Sequence, residues 1–128
     1  MFNFKILFLL LLLVFSNCIF KKQDFIIHNT NSYSWDFGEV KEGKILRYNF
    51  ILKNNSSKTL NIKDAHTSCG CTILNLNKKT LLPKEEAIIE TEFDTKGISG
   101  DIEQHIYLYT DNSDQQIIKF TIKGRVIP

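Results

Sequence analysis

The chain has 128 residues, of which 23% are charged and 43% hydrophobic, and its formal net charge is +2. Lys and Arg number 16 and Asp and Glu 14, and the two signs are interspersed along the sequence as on an ordinary solvated surface. No basic stripe of the kind that binds nucleic acid is present, so nucleic acid is not expected as a partner.

The first 17 residues have the layout of a secretory signal peptide. Lys5 provides a positively charged N-terminal region, and residues 6–15 form an unbroken apolar run. A membrane-spanning helix needs about 20 apolar residues. We therefore predict a signal peptide over residues 1–17, in preference to an uncleaved anchor that recruits Ile19 and Phe20.

Cys18 follows this leader at the position where a bacterial lipoprotein is cleaved and acylated. The similarity to a lipobox is partial, because Phe15 and Asn17 replace the usual leucine and small residue. We expect lipidation of Cys18 and anchoring to the bacterial cell envelope through that lipid, with cleavage and release as the alternative. In either case the body of the protein lies outside the cytoplasm. Residues 18–33 are interpreted as a tether.

Residues 34–128 show strict alternation of apolar and polar side chains, which indicates half-buried strands. The alternation is clearest in the segments ILRYNFILK, AIIETEFD, IYLYT and IKFTIKGRV, and turn signals separate the segments. About seven short strands at this spacing predict a single all-β domain, an antiparallel β-sandwich. The expected core includes Phe50, Phe93, Leu108 and Phe120.

No combination of residues predicts catalysis. The histidines, His28, His66 and His105, lie at no hydrolase or metalloprotease spacing. The carboxylate pairs at 85–86 and 90–92 fall at a turn and along one outward row, where solvated charges are common. We therefore expect a protein that is not an enzyme.

The stretch HTSCGCT (66–72) lies at a bend between two strands and allows three interpretations. Cys69 and Cys71 could be small buried residues beside a flexible Gly70. They could form a disulfide, whose small ring would make the bond strained and easily reduced, and which could act as a redox couple. Together with His66 they could bind a soft ion such as Cu(I), or zinc with a fourth ligand.

The strings WDFGEVKEG, HTSCGCT and LLPKEE resemble the bacterial domain of unknown function numbered 1573, a family similar to the Ig-like Hydin-type domains. The resemblance covers roughly residues 34–126. It implies an Ig-like β-sandwich outside the cytoplasm, and it supplies no function.

The function expected from the sequence is an exported, lipid-anchored Ig-like module that interacts with an unknown protein or has a structural role. The alternative is a thiol-based redox partner or a Cu(I)-binding protein that uses the Cys-Gly-Cys motif.

Overall fold

Two β-sheets pack against each other in the computed structural model, which describes residues 33–128. Within that range no helix has the length and apolar character needed to cross a membrane. The strands are β1 (Ser34–Lys41), β2 (Ile45–Lys53), β3 (Leu60–Thr67), β4 (Thr72–Leu76), β5 (Thr80–Leu81), β6 (Glu86–Asp94), β7 (Gly100–Thr110) and β8 (Ile117–Ile127).

The strand order is β1-β8-β7-β3-β5 in the larger sheet and β2-β6-β4 in the smaller one. This confirms the predicted all-β sandwich. Two details differ from the prediction. β5 is an additional, eighth strand, and its two residues are too few to show alternation in the sequence.

The second difference is that β1 and β8 pair in parallel, whereas every other pair is antiparallel. These strands come from opposite ends of the described chain, so no hairpin constrains their direction. β1 carries an irregularity between Asp36 and Glu39, where Gly38 has a φ of +71°. A positive φ at the bulge is a conformation that glycine adopts without steric cost.

The apolar rows predicted from the alternation face inward and form one core between the sheets. Phe50, Phe93, Leu108 and Phe120 are all fully buried, as expected. Other buried members are Tyr48, Leu52, Leu60, Ile62, Leu81, Ala87, Ile89, Ile106, Ile118, Ile122 and Val126.

The predicted leader, Cys18 and most of the tether lie outside the described residues, as does His28. Those predictions therefore stay predictions.

Truncating the Phe120 ring tests the packing of the core. The ring is fully buried on β8, and its centroid lies 5.0 Å from the centroid of the Phe50 ring on the facing sheet. We expect Phe120→Ala to lower the free energy of unfolding by about 3–5 kcal/mol, through lost burial and the cavity left behind. Urea denaturation measures the change.

The control is Ile117→Ala on the same strand. The side chain there is 53% exposed, and the free energy of unfolding is expected to change by no more than about 0.5 kcal/mol. Equal losses in the two variants would contradict the assignment of the inward face.

Candidate functional site

The cysteine motif forms the turn by which the chain passes from the larger sheet to the smaller one. β3 ends at Thr67 in the five-stranded sheet, and β4 begins at Thr72 in the three-stranded sheet. Residues 68–71, hereafter the cysteine turn, make this crossing. The predicted bend between strands is thus confirmed, and the structure shows that it joins two sheets.

Hydrogen bonds tie the cysteine turn to both sheets. On the side of the larger sheet, the Ser68 N–H donates to the His105 carbonyl at 2.9 Å, and the His105 N–H donates to Ser68 Oγ at 2.8 Å. On the side of the smaller sheet, the Asp94 N–H donates to the Cys71 carbonyl at 2.9 Å. The turn is therefore held at both ends, by backbone groups and by the Ser68 hydroxyl.

The Cys69 carbonyl organises the inside of the turn. It accepts from the Thr67 hydroxyl at 3.0 Å and from the Thr72 N–H at 3.2 Å. A hydroxyl that bonds a nearby backbone group is a common way to stabilise a turn. Neither of these two bonds involves a cysteine sulfur.

Cys69 and Cys71 are joined as a disulfide in the structure, with their Cα atoms 5.2 Å apart. Both residues are half-buried. The Cys71 N–H lies 3.1 Å from the Cys69 sulfur and donates to it. Within residues 33–128 only the sulfur of Cys69 accepts a hydrogen bond, so the two sulfurs are chemically different.

His66 does not join the two cysteines. Its Nε2 lies 2.8 Å from Asp64 Oδ2. The centroid of its ring lies 5.5 Å from that of Tyr109, in an edge-on arrangement. The Ala65 N–H lowers the pKa of the Asp64 carboxyl, and the charge of His66 lowers that pKa further. Among residues 33–128 no three His, Cys, Asp or Glu side chains lie close enough to hold one metal ion. The structure thus places His66 with Asp64 on its own strand and does not bring it together with the two cysteines.

The outer edge of β4 is a feature that the sequence analysis did not single out. Just before β4, the Cys71 carbonyl accepts from the Asp94 N–H of β6. Just after β4, the Asn77 N–H donates to the Ile88 carbonyl of β6. Bonded residues alternate along an antiparallel ladder. Leu74 and Leu76 therefore direct their N–H and C=O groups away from β6, toward the open edge of the sheet.

The other sheet edges among residues 33–128 carry protective features that β4 lacks. β1 is bulged, and β5 has only two residues. β2 carries Arg47 and Lys53. Bulges, short length and basic side chains are the usual means of blocking unwanted strand pairing. β4 has the sequence TILNL, without a charge or a proline, so its edge is open to pairing.

A shallow groove of about 330 Å³ lies on the outer face of the smaller sheet, beside this edge. Ile73 is 65% exposed there and supplies its apolar floor. One side is lined by the Arg47–Glu92 ion pair, at 3.0 Å, and the other by Glu90, which accepts a hydrogen bond from Asn75 at 3.1 Å. Glu90 thus has no cationic partner among the described residues.

A family model covers nearly the whole described domain. The model described as "Protein of unknown function (DUF1573)" matches residues 27–126. The chain belongs to the DUF1573 family. This confirms the family predicted from the sequence, and the match begins within the segment interpreted as the tether. No curated protein sequence matches the chain.

Solved structures show the same fold in distant proteins. A protein of unknown function from Porphyromonas gingivalis W83 is 13% identical with a TM-score of 0.65; the match covers 73% of this chain and 44% of that one. The VesB protease of Vibrio cholerae is 14% identical with a TM-score of 0.59; the match covers 74% of this chain and 30% of that one. The PapD-like domain 7 of human CEP192 is 12% identical with a TM-score of 0.51; the match covers 75% of this chain and 82% of that one.

These similarities show an Ig-like, PapD-like fold and do not assign an activity. The chain spans less than half the length of the P. gingivalis and V. cholerae proteins.

The Thr72 hydroxyl, next to the cysteine turn, offers a test of the local packing. Thr72 is buried, and its Oγ1 is the one buried side-chain oxygen or nitrogen within residues 33–128 that has no hydrogen-bond partner. An unsatisfied buried hydroxyl costs free energy, so Thr72→Val, which replaces it with a methyl group, should stabilise the protein by about 1 kcal/mol. Urea denaturation measures the change.

The matched control is Thr95→Val. The Thr95 Oγ1 accepts from the Lys44 N–H at 2.8 Å and donates to the Lys44 carbonyl at 2.9 Å. Removing this hydroxyl leaves the Lys44 N–H without its partner, although the Lys44 carbonyl still accepts from the Thr95 N–H at 2.9 Å, and the change should cost about 2 kcal/mol. A loss of stability in Thr72→Val as large as that in Thr95→Val would show that the Thr72 hydroxyl has a partner.

Proposed function

We propose that the protein is an exported, lipid-anchored interaction module that binds an extended segment of a partner protein along the free edge of β4. The observation that carries this proposal is the pair of outward N–H and C=O groups at Leu74 and at Leu76. An extended segment that adds to a sheet edge obtains its affinity from such main-chain bonds. The proposed function is binding, without catalysis.

The side chains of β4 favour a strand over other occupants. Leu74 and Leu76 are only partly buried, although they pack against the core. An added strand would place alternate side chains beside them and complete their burial, because side chains of neighbouring strands lie side by side on one face. The inward row of the partner segment should therefore be apolar.

The outer row of the partner segment faces the groove. Ile73 would contact an apolar or long side chain. Glu90 would attract a basic one, since among residues 33–128 its carboxylate bonds to the neutral Asn75 amide and to no cation. The Arg47–Glu92 pair already balances its own charges. We therefore propose a partner segment with alternating apolar residues and a Lys or Arg on its outer row.

Export and anchoring complete the proposal and are supported by the sequence alone. The apolar run of residues 6–15 ends three residues before Cys18, which is the arrangement of a lipoprotein leader. An acyl anchor would hold the domain at an extracytoplasmic membrane surface in the bacterial envelope, and stable anchoring takes more than one lipid chain.

The lipid anchor can be tested by metabolic labelling in the native host. Labelled palmitate should be incorporated into the wild-type protein and not into Cys18→Ser, because the thiol is the acceptor. Cys69→Ser serves as the control and should be labelled like the wild type. Equal labelling of wild type and Cys18→Ser would refute the lipid anchor while leaving the proposal for β4 intact.

Binding at β4 can be tested with a phage-displayed library of random peptides selected against the chain from residue 18 onward. Enriched peptides should show alternating apolar residues with a Lys or Arg on the other row. In NMR titrations they should shift the amides of residues 72–76 more than those of β2.

A matched pair of lysine substitutions distinguishes this edge from the rest of the surface. Ile73→Lys puts a charge beside the free edge and should weaken peptide binding at least about tenfold. Ile117→Lys puts the same charge at a similarly exposed position on the larger sheet and should leave binding unchanged. Peptides without alternation, or equal weakening by both variants, would contradict the proposal.

A further inference from the structure

The cysteine turn has features of a reactive site that lies outside the proposed binding edge. The disulfide is half-buried, and its sulfurs differ because, within residues 33–128, only Cys69 Sγ accepts a hydrogen bond, from the Cys71 N–H at 3.1 Å. The space beside Gly70 is open, since a Cβ added there would meet no atom within 4 Å. A partner can therefore approach the turn from this side.

The hydrogen bond decides which sulfur leaves when the disulfide is attacked. An N–H that donates to sulfur binds a thiolate more strongly than a neutral sulfur, because bonds to ionised acceptors are the stronger ones. Stabilising the leaving thiolate accelerates thiol–disulfide exchange. Cys69 is therefore the better leaving group, and Cys71 is the sulfur to be attacked.

We infer that the Cys69–Cys71 disulfide is a thiol–disulfide exchange site with a fixed direction, which oxidises a protein dithiol through a mixed disulfide on Cys71. In the first step a thiolate of the partner bonds to Cys71 Sγ. The bond between the two cysteines breaks, and its electron pair goes to Cys69 Sγ, which then takes a proton from water.

In the second step the other thiol of the partner, as thiolate, attacks the partner's own sulfur in the mixed disulfide. The electron pair of that bond goes to Cys71 Sγ, which is also protonated. Two electrons have then passed from the partner to this chain, and the partner has gained a disulfide. The disulfide encloses only Gly70, so chain entropy contributes little to holding it closed.

The surroundings of the turn allow this exchange without unfolding. The bonds of the Cys69 and Cys71 carbonyls to Thr67, Thr72 and Asp94 involve no sulfur atom. Opening the disulfide therefore breaks none of them directly, and the crossing between the sheets should keep these supports in the reduced protein.

The test uses the oxidised protein from residue 18 onward, purified without reductant, with glutathione as the attacking thiol. Reactions are stopped with acid at early times, remaining thiols are alkylated, and the tryptic peptide 64–78, which contains both cysteines, is fragmented in a mass spectrometer. Glutathione should appear on Cys71 in preference to Cys69, by about threefold or more. Equal adducts, a preference for Cys69, or no adduct on the folded protein would overturn the inference, as would two free thiols before glutathione is added.

The single-cysteine variants provide a second readout that a merely structural disulfide would not predict. In Cys71→Ser the Cys69 thiol should keep the backbone donor at residue 71, whereas no group of residues 33–128 donates to the Cys71 sulfur that remains in Cys69→Ser. The pH dependence of alkylation should therefore give Cys69 the lower pKa of the two. A lower pKa for Cys71 would contradict the direction of exchange.

Discussion

The contact between Phe50 and Phe120 joins the two sheets and fixes how each of them faces the core. Both rings are fully buried, one on β2 and one on β8, and their centroids are 5.0 Å apart. Because side chains alternate along a strand, placing these rings inward determines the face of every other residue in both strands. The neighbouring strands must then follow the same register. β3 and β4 belong to different sheets, and the chain passes between them in only four residues.

Much of this architecture could be predicted from the sequence, because alternation is a local signal. Phe50, Phe93, Leu108 and Phe120, predicted as core residues from the four alternating segments, are all buried, and the bend at the cysteine motif lies between two strands as predicted. The parallel pairing of β1 with β8 could not be predicted in this way. It joins residues that are about as far apart as the domain allows, and periodicity contains no information on which strands become neighbours. The two residues of β5 are too few for any periodic signal.

The candidate sites show the same division between local and long-range information. Cys69 and Cys71 stood out in the sequence because they are close together and chemically unusual. His66 was grouped with them for the same reason, yet its position on β3 places it beside Asp64, two residues away on the same strand. The edge of β4 went unnoticed because a free edge is defined by the strand that is missing next to it. The absence of charge in TILNL was visible in the sequence, but it has meaning only once β4 is known to lie at the end of a sheet.

The two proposed surfaces meet at Cys71 and use different atoms of it. Its carbonyl accepts from the Asp94 N–H and so belongs to the hydrogen-bond ladder that positions β4, while its sulfur belongs to the disulfide. The proposed peptide binding depends on that ladder and on the main-chain groups of Leu74 and Leu76, none of which involves sulfur. The proposed exchange at the disulfide depends on the donor to Cys69 and on open space beside Gly70, neither of which involves the edge. An anchor at Cys18 would place both surfaces outside the cytoplasm, where disulfides form and persist. A partner held at the edge of β4 would then lie close to the cysteine turn, since β4 begins one residue after Cys71.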